Sequence, residues 1–203
     1  MTSLWSPIEN AFHTKRHPVG IVDIAGDADA RLARALLEGM GAVVRYYHPG
    51  TPGDFLKIIA QETEVPPYLI VCAHGHEGGI YFGDFCPEID TSMLHEGSLP
   101  PATIAQHAAL PECVILGLFC DSGDEPMAKA FLAGQAKAYI GVVEPNPDSL
   151  SVPLFLTQFF YELWRHTCSP QDAWARAAAY DDTSRMFVYW DAEGKRRIPP
   201  PEK

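Results

Sequence analysis

Two short motifs in this sequence carry residue types that could perform nucleophilic catalysis. His74-Gly75 follows the apolar run YLIVCA, and Cys120 opens the segment CDSGD directly after the apolar run CVILGLF. A thiol beside an imidazole forms a nucleophile and base pair, because the imidazole can take the thiol proton and later return it to a leaving amine. The two motifs therefore point to a cysteine hydrolase, provided that the two side chains meet.

Both motifs stand at the downstream ends of predicted strands. Short apolar runs bounded by turn residues are typical of strands that are buried on both faces of a parallel sheet. The carboxyl ends of neighbouring parallel strands meet at the edge where open α/β folds bind their ligands. We therefore expect His74 and Cys120 to face one another at this edge, although they are forty-six residues apart in the chain.

The turn after Cys120 has a composition that suits such chemistry. Asp121-Ser122-Gly123-Asp124 favours a tight turn, which would lift the sulfur clear of the sheet. The helix predicted to follow would favour a thiolate through its N-terminal dipole. Backbone N–H groups of the turn could hold an oxyanion, and Gly75 would let a substrate carbonyl approach its amide closely.

The order of the predicted elements indicates an α/β fold. Apolar runs predict strands at 19–25, 42–47, 68–73, 113–119, 138–143 and 186–190, with a small glycine-rich hairpin after His74; helical spacing predicts helices near 28–40, 54–63, 102–109, 125–133, 153–166 and 170–180. This alternation predicts a single three-layer α/β/α domain with a mostly parallel sheet over residues 19–190. Residues 1–18 are expected to form an N-terminal arm, and residues 191–203 a polar, proline-rich tail.

Composition narrows the classes of protein and partner. The 203 residues fit one domain, and a hydrophobic content of 47% favours a packed core. A net charge of -11 disfavours binding to nucleic acid. No apolar run is long enough to span a membrane, the N-terminal stretch lacks a signal-peptide pattern, and five cysteines without a CxxC pair favour free thiols. We expect a cytoplasmic protein that has no membrane association, no metal and no cofactor.

The segments VCAHGHEGGIYFG and VILGLFCDSGD resemble the motifs of clan CD cysteine peptidases of the caspase-haemoglobinase fold. This group includes caspases, metacaspases, legumain, gingipains, separase and CHAT domains. Its members share a strand that ends in His-Gly and a later strand that ends in a cysteine within a small turn. The stretch at 138–177 is most similar to CHAT domains, and the resemblance covers about residues 19–180.

The resemblance implies a cysteine endopeptidase and a role for individual residues. His74 would accept and donate the proton, Cys120 would be the nucleophile, and the amides of Gly75 and Cys120 would form the oxyanion hole. The expected partner is a peptide or protein substrate, and a separate chain would supply any regulation. Only seventeen residues separate Cys120 from the next predicted strand, so no long cleavable linker between subunits is expected.

The resemblance also suggests which residues hold the substrate. In this fold the S1 pocket lies between the loop after the first strand, the positions before the cysteine and the strand after it. Those regions offer Asp27, Glu144 and Asp148 here, whereas Asp29 reads better as a helix cap. Acidic candidates favour arginine or lysine at P1. The bulky Phe119, which precedes the cysteine where the family often has a small residue, would alter the pocket.

Three other interpretations remain open on the sequence. His74, His76, Glu77 and Asp84 could bind zinc or iron, since imidazole and carboxylate suit both metals. The domain could be a caspase-like interaction module with weak or no activity. It could also hydrolyse a different amide or ester on a flavodoxin-like sheet.

Overall fold

Strands and helices alternate along the part of the chain that the computed structural model describes, which is residues 8–9, 15–24, 26, 28–61, 64–76, 78–143 and 151–199. The strands are β1 (Ile8–Glu9), β2 (Lys15–Asp23), β3 (Ala42–Tyr47), β4 (Tyr68–Cys72), β5 (His74–His76), β6 (Gly79–Tyr81), β7 (Ser98–Leu99), β8 (Val114–Leu118), β9 (Ala138–Val142), β10 (Phe187–Asp191) and β11 (Gly194–Arg196). The helices are α1 (Ala28–Gly39), α2 (Pro52–Ile59), α3 (Pro101–His107), α4 (Glu125–Ala133), α5 (Ser151–Arg165) and α6 (Pro170–Ala178).

The main sheet is mostly parallel. Its strands follow the order β3-β2-β4-β8-β9-β10-β11, with parallel pairing from β3 to β9 and antiparallel pairing from β9 to β11. β1 pairs antiparallel with the beginning of β2. The strands β5, β6 and β7 form a separate antiparallel sheet directly after β4, which confirms the hairpin predicted beside His74.

Helices cover both faces of the main sheet, which confirms the predicted three-layer α/β/α architecture. On one face α1, α5 and α6 bury Leu37, Phe159 and Trp174, and on the other α2 and α4 bury Phe55 and Phe131. Every residue of the central strands β8 and β9 is buried. Burial of apolar surface at roughly 25 cal/mol per Å² is therefore the main force that holds these two strands in place. In the described part of the chain, no helix is both long and apolar enough to cross a membrane.

Side-chain caps and prolines set the first residues of two helices. Thr51 caps α2 by accepting a hydrogen bond from the amide of Asp54, and Ser169 caps α6 by accepting one from the amide of Asp172. Each cap is followed at once by a proline, whose fixed φ suits the first turn of a helix. The helix predicted to start at residue 54 therefore begins two residues earlier, at Pro52.

The sheet extends beyond the last predicted strand. β11 pairs antiparallel with β10 through a tight turn in which Gly194 adopts a φ of 117°. The guanidinium of Arg196 in β11 donates hydrogen bonds to Asp191 in β10 and to Glu193 in the turn, and these bonds stabilise the hairpin. Residues 194–196, which composition assigns to a tail, thus form an edge strand.

A charged cluster joins the two helices that cover one end of the sheet. The Glu162 carboxylate on α5 accepts a hydrogen bond of 2.8 Å from Nδ1 of His166 and one of 2.6 Å from Nη1 of Arg176 on α6. These two bonds lower the pKa of Glu162 below its ordinary value. The Glu162 side chain is only 13% exposed, so water competes with its partners less than at an open surface pair.

We expect Glu162→Gln to lower the free energy of unfolding at neutral pH by about 1 kcal/mol, since Arg176 and His166 are themselves half exposed. A carboxylate with a lowered pKa stabilises the fold above its unfolded pKa and loses that contribution as the pH falls through its folded pKa. The difference between wild type and variant should therefore begin to shrink below about pH 4.5, the ordinary pKa of glutamate, and disappear once the pH is below the lowered pKa of the folded state. Urea unfolding at a series of pH values measures it.

Glu38→Gln is the matched control, because Glu38 pairs with Arg34 on the open surface of α1, where both side chains are more than 40% exposed. It should change stability very little at any pH. Equal effects of the two substitutions would contradict a special role for the Glu162 cluster.

Candidate active site

The pairing of β4 with β8 brings the two motifs to one place. The strands run parallel with Cys72 opposite Leu118. His74 and Cys120 each follow two residues later, so the forty-six residues between them equal the offset of the strand register. The structure thus sets the backbones of His74 and Cys120 at the same level of one sheet edge.

Gly75 makes the closest contact between the two motifs. A Cβ atom placed on Gly75 would lie 2.1 Å from the carbonyl oxygen of Cys120 and 2.9 Å from its carbonyl carbon. No side chain fits in that space. Only glycine therefore allows β5 to pass this close to the Cys120 backbone. From the sequence we expected Gly75 to allow a substrate carbonyl to approach its amide. In the structure the lack of a side chain at Gly75 also makes room for the backbone of Cys120.

Both candidate side chains reach the solvent. His74 is exposed and Cys120 is half-buried at the rim. Two other thiols, that of Cys72 at the end of β4 and that of Cys113 just before β8, are buried, and burial raises the pKa of Cys113 far above that of a free thiol. Among the cysteines of β4, β8 and their flanking residues, Cys120 is therefore the one that an external electrophile can reach.

Ser122 anchors the turn that carries Cys120. Its side chain is fully buried, and its hydroxyl donates a hydrogen bond of 2.8 Å to the carbonyl of Gly117. The same oxygen accepts a hydrogen bond of 2.8 Å from the amide of Val142. One hydroxyl therefore ties the turn to β8, the strand before it, and to β9, the strand beside it. Sequence reasoning took this serine only as a turn former.

The next residue, Gly123, is held from two further sides. Its amide donates a hydrogen bond of 2.7 Å to the carbonyl of Val142, and its carbonyl accepts one of 3.0 Å from Nε1 of Trp190. A Cβ atom here would come within 2.8 Å of a methyl group of Val188. Asp121, directly after the cysteine, has a φ of 58°, which marks a sharp change of chain direction. The turn is therefore rigid on its buried side, and Cys120 lies on its open side.

A buried acid at the same edge was missed by sequence reasoning. Asp23 ends β2 directly opposite Cys72, and its side chain is only 4% exposed. Its carboxylate accepts hydrogen bonds from the amide of Gly26 at 2.7 Å and from the hydroxyl of Tyr46 at 2.6 Å. Burial, and then the bond to Asp23, raise the pKa of the Tyr46 hydroxyl. The available signal was a carboxylate inside the apolar run VGIVDIA.

The candidate residues for substrate binding and metal binding do not form a site within the described residues. The substrate-binding candidates Asp27, Glu144 and Asp148 lie outside the described residues, as does Glu77 of the metal interpretation. Asp84 is exposed. Within the described residues there is no group of three or more His, Cys, Asp or Glu side chains that could hold a metal ion.

The sequence matches no protein-family model and no curated protein. Its structure is similar to those of three cysteine proteases. Separase from Saccharomyces cerevisiae, solved in complex with securin, matches 87% of this chain and 12% of its own at 10% identity and a TM-score of 0.53. The Arg-specific cysteine proteinase gingipain R matches 83% of this chain and 44% of its own, at 13% identity and a TM-score of 0.49. A secreted C11 cysteine protease from Bacteroides thetaiotaomicron matches 88% of this chain and 66% of its own, at 10% identity and a TM-score of 0.48.

This chain therefore spans less than half of gingipain R and about an eighth of the separase chain. The likeness to separase shows a shared fold, which is the caspase-haemoglobinase fold that the sequence predicted.

We expect Ser122→Ala to reduce both the stability of the protein and the reactivity of the Cys120 thiol. The change leaves the buried Val142 amide and Gly117 carbonyl without this partner, at a cost of about 1–3 kcal/mol. Thermal unfolding measures the loss of stability. The rate of thiol alkylation at temperatures well below the transition measures the placement of Cys120 separately.

Ser92→Ala removes an exposed hydroxyl from a surface turn and serves as the control. A Ser122→Ala protein as stable and as reactive as this control would show that the turn does not depend on the Ser122 hydroxyl.

Proposed function

We propose that the protein is a cysteine peptidase in which His74 and Cys120 form the catalytic dyad. The observation that carries this proposal is the register of β4 and β8, because His74 and Cys120 each follow two residues after a paired strand end, and neither is buried. The close approach of Gly75 to the Cys120 backbone supports it, because the two motifs then lie side by side. The protease fold shared with separase is consistent with the proposal.

The proposed reaction follows from the residue types at this edge. His74 takes the proton from the Cys120 thiol, and the resulting thiolate attacks the carbonyl carbon of the scissile peptide bond. The N–H groups of Gly75 and Cys120 stabilise the oxyanion of the tetrahedral intermediate. His74 then gives its proton to the leaving amine, which leaves a thioester on Cys120. Water attacks the thioester while His74 takes the water proton, and the free thiol is restored.

The turn and the helix after Cys120 would favour this chemistry. α4 begins at Glu125, and the partial positive charge of a helix N-terminus stabilises a nearby thiolate by roughly 0.3–1 kcal/mol. The hydrogen bonds of Ser122 and Gly123 fix the turn before substrate arrives. A nucleophile that is already in place avoids part of the entropy cost of reaching the transition state.

For substrate preference we propose arginine or lysine at P1. The support is the acidic character of the segments that would border the S1 pocket, where Asp27, Glu144 and Asp148 lie. A carboxylate in a partly desolvated pocket attracts a cationic side chain and rejects an anionic one, so aspartate at P1 should be a poor substrate.

The reactivity of Cys120 tests the dyad directly. Alkylation by iodoacetamide at pH 7, followed by mass spectrometry, reports on each cysteine in one experiment. Cys120 should react about tenfold faster than the exposed Cys86, because a paired imidazole raises its thiolate fraction. His74→Ala should remove this excess, whereas His76→Ala, on the same short strand, should keep it.

Slow labelling of Cys120 that matches Cys86 and does not depend on His74 would reject the dyad. In that case the interaction-module interpretation would be favoured over the enzyme.

A set of fluorogenic peptides that differ only at P1 tests the substrate preference. We expect kcat/KM for arginine and lysine to exceed that for aspartate by about tenfold or more, with no cleavage by Cys120→Ser protein. Faster cleavage after aspartate than after arginine would overturn the proposed preference while leaving the peptidase assignment in place.

A further inference from the structure

The short sheet that carries His74 has an inner and an outer face. Residues alternate between the two faces along each strand. A Cβ atom on Gly75 would point at the Cys120 backbone, and Ile80, the partner of Gly75 on β6, is fully buried, so both belong to the inner face. The side chains of His74 and of Tyr81, which lies opposite it on β6, therefore share the outer face. His74 is exposed and Tyr81 is 38% exposed, so this face is open to solvent.

Tyr81 lies beside the group that would protonate the leaving amine. Directly opposed residues of an antiparallel pair have Cβ atoms about 4.5–5.5 Å apart, and His74 and Tyr81 are such a pair. To act as a general acid, the His74 imidazole must come within roughly 3 Å of the leaving nitrogen. That nitrogen belongs to the residue after the scissile bond, P1′, whose side chain branches from the next atom of the chain. The P1′ side chain is therefore held close to His74 and within reach of the Tyr81 ring.

The Tyr81 ring is held in place by its surroundings. A Cβ atom on Gly97 would come within 3.0 Å of its Cε2 atom, and one on Gly83 within 3.8 Å of its Cε1, Cζ and hydroxyl oxygen atoms, so both glycines lie against the ring. The amide of Gly83 donates a hydrogen bond of 3.3 Å to the carbonyl of Gly97, which keeps the two glycines together. The His76 ring lies 5.6 Å away between centroids, at an angle of 73°. A side chain that is already fixed loses little conformational entropy when a ligand packs against it.

The exposed part of the Tyr81 ring is reached from the side of His74. Ser98, which lies opposite Tyr81 on β7, is on the other side of it and is only 3% exposed. Tyr81 also differs in position from the other exposed large hydrophobic side chains of the described residues. Those lie on or just after the helices that cover the other face of the main sheet, and they are Leu32, Tyr161 and Tyr180. An exposed, fixed aromatic ring at the edge of a reactive site is suited to contact the substrate.

From this arrangement we propose that Tyr81 is a specificity-determining residue that contacts the P1′ side chain of the substrate and favours an aromatic residue there. The inference rests on the proposed peptidase function and concerns the leaving-group side of the site, whereas the preference for arginine or lysine concerns P1. An aromatic P1′ side chain gains from the area that it buries against Tyr81 and from the ring–ring contact itself. Alanine at P1′ is too short to make either contact.

A series of internally quenched peptides that differ only at P1′ tests the role of Tyr81. All carry arginine at P1, and P1′ is phenylalanine, leucine, alanine, aspartate or arginine. We expect kcat/KM for phenylalanine to exceed that for alanine by about tenfold. Tyr81→Ala should reduce this ratio to about one, whereas Tyr81→Phe, which keeps the ring without the hydroxyl, should keep the wild-type ratio.

Tyr180→Ala, which removes an exposed ring just after α6, is the matched control and should keep the wild-type ratio. Thermal unfolding shows whether each variant is folded. If Tyr81→Ala is not, Tyr81→Thr decides, because threonine favours a strand and has no ring. A phenylalanine-to-alanine ratio that is the same in wild type and in the variants without a ring would overturn the role of Tyr81. A higher kcat/KM for arginine than for phenylalanine at P1′ would also overturn it.

Binding of the phenylalanine and alanine peptides to Cys120→Ser protein, followed by fluorescence anisotropy, separates the two proposals. Cleavage without a preference at P1′ leaves the peptidase function standing and rejects the role of Tyr81. Absence of cleavage by the wild type, with tighter binding of the phenylalanine peptide that is lost when Tyr81→Ala is added, rejects the peptidase function and supports the contact with Tyr81. Absence of both cleavage and preferential binding rejects both proposals.

Discussion

The parallel register between β4 and β8 is the constraint on which the proposed site depends. Side chains alternate between the two faces of a strand, so a slip of one residue would bring Phe119 or Asp121 to the level that Cys120 now occupies. Apolar burial on both faces sets this register, because every residue of β8 is buried, with Val114, Leu116 and Leu118 in one packed layer and Ile115 in the other. At the edge, where apolar packing ends, Gly75 lies so close to the Cys120 backbone that only glycine fits in this register.

Several buried polar groups at this edge are already engaged in hydrogen bonds. Ser122 satisfies one carbonyl and one amide of two different strands, Trp190 satisfies the carbonyl of Gly123, and Asp23 accepts hydrogen bonds from Tyr46 and Gly26. A buried polar group without a partner is costly, so each of these bonds resists movement of the turn or loop that it holds. A nucleophile on a turn requires firm hydrogen bonding on the buried side of the turn and access to solvent on the other side. The position of the nucleophile must be set before the substrate arrives.

The sequence predicted the parts of this arrangement that depend on local pattern. Apolar runs of five to seven residues gave the central strands, helical spacing gave α4 at its observed bounds, and the positions of His74 and Cys120 after two such runs gave the edge of the sheet. The bonds from Ser122 to Val142 and from Trp190 to Gly123 join residues 20 and 67 positions apart, and no local pattern marks them. They arise only when β9 and β10 have paired beside β8, so they could not be derived from the sequence.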